Sequence, residues 1–182
     1  MSITALLASV EASSLAAAIR GSLYWFPLIE SAHVLGLTMV FGTIAVLDLR
    51  LLGLGWSRRP FTSVAADTLK WTWVAFVLTA MTGALMFITN AAVYFDNFYF
   101  RAKMLLIVVA GINMFFFELT ARRSVQSWDR DPAAPPAGRA VAVLSLILWI
   151  TIIFAGRWIG FTVTKGTVPL DPEFNIEELL PQ

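Results

Sequence analysis

LYWFPLIESAHVLGLTMVFGTIAVLDLRLL, residues Leu23–Leu52, is the stretch that decides the fold. It is long and apolar enough to cross a hydrocarbon core of about 30 Å, which takes roughly 20 helical residues. Within it stands the single histidine of the chain, His33, one helical turn after Glu30. An ionisable group at membrane depth is costly unless a partner, a cavity or a cofactor compensates it. The stretch therefore reads as a membrane helix that carries a site.

Three further segments meet the same criterion: Leu69–Tyr94, Phe98–Ala121 and Ala140–Val163. At 58% hydrophobic and 14% charged residues over 182 positions, with mean hydropathy +0.76, the chain reads as a small integral membrane protein in the lipid bilayer. The expected fold is all-α, an antiparallel four-helix bundle (residues 23–163). A short N-terminal interfacial helix precedes it within residues 1–22, and an acidic tail (164–182) follows. Ile3–Ile19 is rich in Ala and Ser, and no basic n-region precedes it, so it reads as interfacial rather than as a cleaved signal. A net charge of +1 without a basic stripe argues against nucleic acid. The absence of cysteine removes disulfides, Cys-ligated zinc, iron–sulfur clusters and covalent haem attachment.

Arg50, Arg58, Arg59 and Lys70 flank the first connection, and Arg122, Arg123, Arg130 and Arg139 the third. The positive-inside bias puts both connections in the cytoplasm and both termini outside, an arrangement expected of a multi-pass protein of a bacterial inner membrane. Asp171, Glu173, Glu177 and Glu178 in the tail agree with that orientation. DRDPAAPPAG, residues 129–138, is the clear linker. The second connection is so short that the second and third spans are expected to be antiparallel neighbours.

Helical periodicity puts Glu30, His33, Leu37, Phe41, Ile44 and Asp48 on one stripe of the first span, and Thr72, Thr79, Gly83, Met86 and Asn90 on one of the second. The third aligns Lys103, Ala110, Asn113, Met114 and Phe117; the fourth aligns Ile150, Ile153, Arg157, Gly160 and Thr164. At 1.5 Å of rise per residue, Glu30, His33, Asn90, Lys103 and Arg157 share the outer half. One account is a buried ion-pair network, Glu30 with Arg157 or Lys103, that locks the bundle. The other makes His33 an axial ligand of a porphyrin iron, with Lys103 and Arg157 meeting the propionates. A single histidine forbids bis-His ligation within one chain. The sixth position would then fall to Met86, the Lys103 amine, water, nothing, or His33 of a second protomer. Asp48 and Glu118, near the inner ends, are expected to be solvated or paired with arginine.

Ser31-Ala32-His33-Val34-Leu35-Gly36-Leu37, followed by Leu47-Asp48-Leu49-Arg50, resembles the first helix of a group of small bacterial membrane proteins. That group includes the CopD-type copper-resistance domain and the HemJ-type protoporphyrinogen oxidase. Arg101-Ala102-Lys103-Met104-Leu105-Leu106, with Asn113 beyond, is similar to the helix of that group that carries a basic residue. Gly156-Arg157-Trp158-Ile159-Gly160-Phe161-Thr162 resembles more closely an uncharacterised bacterial family of the same design. The resemblance implies a haem- or redox-linked bundle, with the histidine of the group on His33 and its basic residue on Lys103. One histidine, no cysteine and no Met-rich loop argue against copper transport.

The expectation is a membrane protein that binds haem b in its outer half through His33, Met86, Lys103, Arg157, Glu30 and Asn90. It would exchange electrons with a quinone, a periplasmic redox partner or another subunit. The alternatives are a non-catalytic subunit of a larger membrane complex or homo-oligomer, and a small transporter or channel lined by Glu30, His33 and Arg157.

Overall fold

The computed structural model describes residues 2–167, and side chains as far as residue 163. Asp171, Glu173, Glu177 and Glu178 therefore lie outside the described residues. The elements run α1 (Ile3–Glu11), α2 (Ser14–Arg20), α3 (Trp25–Leu52), α4 (Phe61–Thr89), α5 (Ala91–Asp96), α6 (Phe98–Leu119), a 3-10 turn (Arg122–Ser124), α7 (Val125–Trp128) and α8 (Pro136–Thr167). No strand occurs among the described residues. The protein is an all-α bundle, and α3, α4, α6 and α8 are long and apolar enough to cross a membrane. Large apolar side chains such as Leu35, Val74, Leu105 and Phe154 are exposed along these helices. Faces of this kind are tolerated against hydrocarbon and not against water.

Local chemistry sets the helix ends. Ser22 accepts the backbone N–H groups of Tyr24 and Trp25 where α3 begins. Gly53, at φ +77°, closes α3 in the left-handed conformation that glycine adopts without strain. The Asp129 carboxylate accepts the backbone N–H and the hydroxyl of Thr62, satisfying the first turn of α4 from another part of the chain. Asn97 accepts from Tyr99 and Phe100 to start α6.

Two antiparallel hairpins form the bundle, α3 with α4 and α6 with α8, and they join through α3 against α8. The α3–α4 contact is close. A Cβ on Gly36 would lie 2.5 Å from the Thr79 hydroxyl oxygen, and one on Gly83 would lie 3.0 Å from His33 Cε1. Small residues at such positions let backbones approach. Helices α4 and α6, expected to be neighbours, are not packed together. The reason is local: the helix breaks at Asn90 (φ −150°, ψ 56°), and α5 intervenes before α6 starts. The buried stripe of α8 is Ala142, Ser145, Leu148, Ile152 and Ile159, rather than the face of Ile150 and Arg157 expected from the periodicity.

The N-terminal segment is two helices bent by 59° rather than one. Ser13 opens the second of them by accepting the Ala16 N–H. The pair is docked at the end of the bundle where α4 gives way to α5, because Arg20 donates to the Thr89 and Glu11 carbonyls and Glu11 accepts the Ala92 N–H. We call this the terminal end. At the opposite, loop end, Arg50 is fully buried. It donates to the carbonyls of Arg59, Asp129, Asp131 and Pro132, tying both long connections to α3. Leu51, Phe61, Ala121, Trp128, Ala134 and Ala142 form a buried apolar cluster at the same end.

Candidate functional site

Because α4 and α6 stand apart while α3 and α8 touch, the loop half of the bundle contains a groove. Its floor is Val40, Ile44 and Asp48 of α3 with Ser145 and Trp149 of α8; its walls are Trp73 and Phe76 of α4 and Ile107, Asn113 and Met114 of α6. The cavity measures about 450 Å³, within the roughly 300–1,000 Å³ typical of small-molecule sites. Trp73, Phe76 and Met114 on its walls are also exposed, so the groove opens sideways onto the exposed apolar surface of the bundle.

Asp48 is the unusual member of this lining. It is 5% exposed, yet its Oδ2 has no hydrogen-bond partner. Buried polar groups are nearly always paired, and an orphaned carboxyl oxygen calls for an account. Ser145 acts on the same carboxyl group. Across the groove, buried Asn113 donates one side-chain N–H to the Val141 carbonyl at 3.0 Å; its amide carries a second N–H and a carbonyl oxygen besides. The Thr72 hydroxyl is engaged by the Thr43 hydroxyl at 2.8 Å and the Thr68 carbonyl.

The terminal half contains the polar residues singled out in sequence. His33 is half-buried, with Nδ1 3.0 Å from the Thr79 carbonyl and 3.1 Å from the Thr82 hydroxyl. If Nδ1 carries the hydrogen, as a bond to a carbonyl requires, Nε2 is left as the acceptor. Lys103 is its charged neighbour and extends along Gly156, where a Cβ would lie 3.5 Å from Nζ. The others do not join them. Arg157 is exposed, with its guanidinium over the Phe161 ring at 4.8 Å. Glu30 is exposed beside Tyr94, whose phenol is pushed above its ordinary pKa by burial and then by the charge of Glu30. Asn90 is exposed at the α4–α5 break, and Met86 is half-buried one turn beyond Thr82.

The ion pairs among the described residues are Arg59–Asp67 and Arg122–Glu118, both at the loop end. The expected pairing of Glu30 with Arg157 or Lys103 is therefore not formed. A long basic side chain at a helix periphery reaches outward instead, and Arg157 finds an aromatic face there. Glu118 is arginine-paired as expected. Asp48, for which the same was expected, is buried without an arginine. No group of three or more His, Asp or Glu side chains that could hold a metal ion occurs among the described residues.

Residues 9–162 match a family of unknown function, DUF6644. The chain belongs to that family. The comparison with curated proteins gives no match, and neither does that with solved structures. For this DUF6644 chain the match spans all four long helices and both halves of the bundle, from the terminal layer around His33 to the groove around Asp48. Along with Trp73, Phe76 and Trp149, Ser145 is a groove residue that the sequence periodicity did not single out. Its signal is its place in the stripe Ala142, Ser145, Leu148, Ile152, where a hydroxyl interrupts an apolar face at helical spacing.

Proposed function

We propose that this protein is a membrane-embedded binding protein for a lipophilic small molecule, which enters the α4–α6 groove sideways from the bilayer. The observation that carries this reading is the Asp48 Oδ2, buried and without a partner at the floor of an apolar groove. A bundle built for packing alone gains nothing from such a group, because an apolar side chain of similar volume avoids the desolvation cost. A ligand polar group that completes the carboxyl accounts for its presence. Mass spectrometry of organic extracts from the protein purified in mild detergent tests the reading. A lipophilic compound should be recovered near stoichiometry from the wild type and lost from Gly111→Trp. Gly111 lines the groove, and a Cβ there meets nothing within 4 Å, so the indole occupies the cavity rather than the fold. Equal recovery from both proteins would overturn it.

A second reading, of haem b held by His33, is favoured by one observation: Nδ1 is anchored to Thr79 and Thr82, the arrangement that orients a ligating imidazole. The likeness of the His33 and Lys103 segments to CopD-type and HemJ-type domains supports it. The residues fit the group in part. His33 and Lys103 lie together, whereas Arg157, Glu30 and Asn90 are exposed away from them. Haem would supply one-electron chemistry there; this chain would supply the imidazole and the Lys103 charge. A Soret band in the purified protein that is lost in His33→Ala supports this reading, and a colourless wild-type preparation reconstituted without effect by added haemin sinks it.

A further inference from the structure

We propose that the groove takes a ligand with a planar head bearing a hydrogen-bond-donating hydroxyl, a phenol or hydroquinone with an apolar tail, and that the Asp48 carboxyl accepts the hydrogen bond from that hydroxyl. This rests on the groove reading above and specifies its ligand. The donor and acceptor balance at the floor decides the polarity. One N–H of the Asn113 amide is committed to Val141, and the Thr72 hydroxyl is engaged by Thr43 and Thr68. The buried side-chain atom left unmet at the floor is the Asp48 Oδ2, which in a carboxylate only accepts. A ligand that only accepts would leave that oxygen unmet, at the cost of a buried desolvated group.

The shape of the head follows from the lining. Phe61, Trp73, Phe76, Phe117 and Trp149 present aromatic surface to the cavity, which suits a flat ring. The tail follows from depth. Asp48 lies four residues before the end of α3, about 6 Å from it, whereas Val40, also in the lining, lies about 12 Å deeper along the same helix. A head at Asp48 therefore leaves an apolar channel running toward the middle of the bundle. A neutral donor is favoured over an ammonium, because the groove opens onto hydrocarbon and a ligand entering that way would carry its charge through it.

The test compares a decyl-substituted hydroquinone with its dimethyl ether, which has the same ring and tail but no hydroxyl, binding to the full-length protein in nanodiscs. Trp73 and Trp149 in the lining make intrinsic fluorescence quenching the readout. The hydroquinone should bind roughly 10-fold or more tightly than the ether, the factor for one hydrogen bond to a buried carboxyl. In Asp48→Leu that preference should disappear through loss of hydroquinone affinity. Equal binding of the two probes to the wild type overturns the proposal while leaving the groove reading in place, and this comparison stands even if Asp48→Leu fails to accumulate. A preference that survives in Asp48→Leu overturns the role of Asp48. Binding of neither probe, with Gly111→Trp indistinguishable from wild type, overturns the groove reading with it.

Discussion

At the scale of single residues, burial separates side chains that look alike in sequence. In ligand-free protein, Asp48→Leu should raise thermal stability in detergent by about 1–3 kcal/mol, because it removes a desolvated carboxyl oxygen, Oδ2, that no hydrogen-bond donor meets. A lower melting temperature would show that the carboxyl is paired in the folded protein. Arg50→Ala should cost at least about 3 kcal/mol, since four loop carbonyls lose a charged donor together. Arg50→Lys should recover little, because an ammonium cannot reproduce the planar fork. Arg157→Ala should cost only about 0.5–1 kcal/mol, the worth of an exposed contact with the Phe161 ring. Detergent melts of the three arginine variants check the order. Sequence did mark His33 and Lys103 as one layer, because depth along a helix can be counted from its ends. It did not distinguish Asp48 from Glu118 or Arg157 from Lys103. Each pair differs by rotation about the helix axis, and that rotation is set by neighbours that periodicity alone does not name.

At the scale of elements, the hairpin pairing makes a geometric prediction. The Thr43 and Thr72 hydroxyl oxygens lie 2.8 Å apart across α3 and α4, and the protein contains no cysteine. The double variant T43C/T72C should therefore cross-link under mild oxidation, whereas F76C/I107C, on opposite walls of the groove, should not. Efficient cross-linking of the second pair would mean that α4 and α6 close on each other and the groove is lost. Gly36→Leu should disrupt the α3–α4 contact more than Gly111→Leu disturbs α6, since the first meets Thr79 and the second meets open space. The number of long helices was legible in the apolar stretches, because length against hydrocarbon thickness is a one-dimensional property; the extent of the second was not, since α4 begins at Phe61 rather than Leu69 and ends at Thr89 rather than Tyr94. Their adjacency was not. A short connection fixes only where two helix ends meet, and the six-residue α5 is enough to let the rest of α4 and α6 diverge.

At the scale of the whole molecule, the basic residues of the two long connections expect a definite orientation. A reporter fused after Gln182 should be active only outside the cytoplasm, and one inserted after Pro132 only inside. The reverse pattern would place the floor of the groove near the opposite leaflet. The hold of Arg50 on both connections has a consequence in time. Its nearest partner in the chain, the Arg59 carbonyl, arrives almost at once, but the Asp131 carbonyl lies 81 residues beyond Arg50 itself. At synthesis rates of about 5–20 residues per second, α3 waits roughly 4–16 s with its guanidinium incompletely met at the membrane edge. Through that interval the first hairpin is a nascent intermediate, exposed to quality-control proteases and to wrong partners. The last hairpin to emerge from the ribosome is thus what certifies the first one.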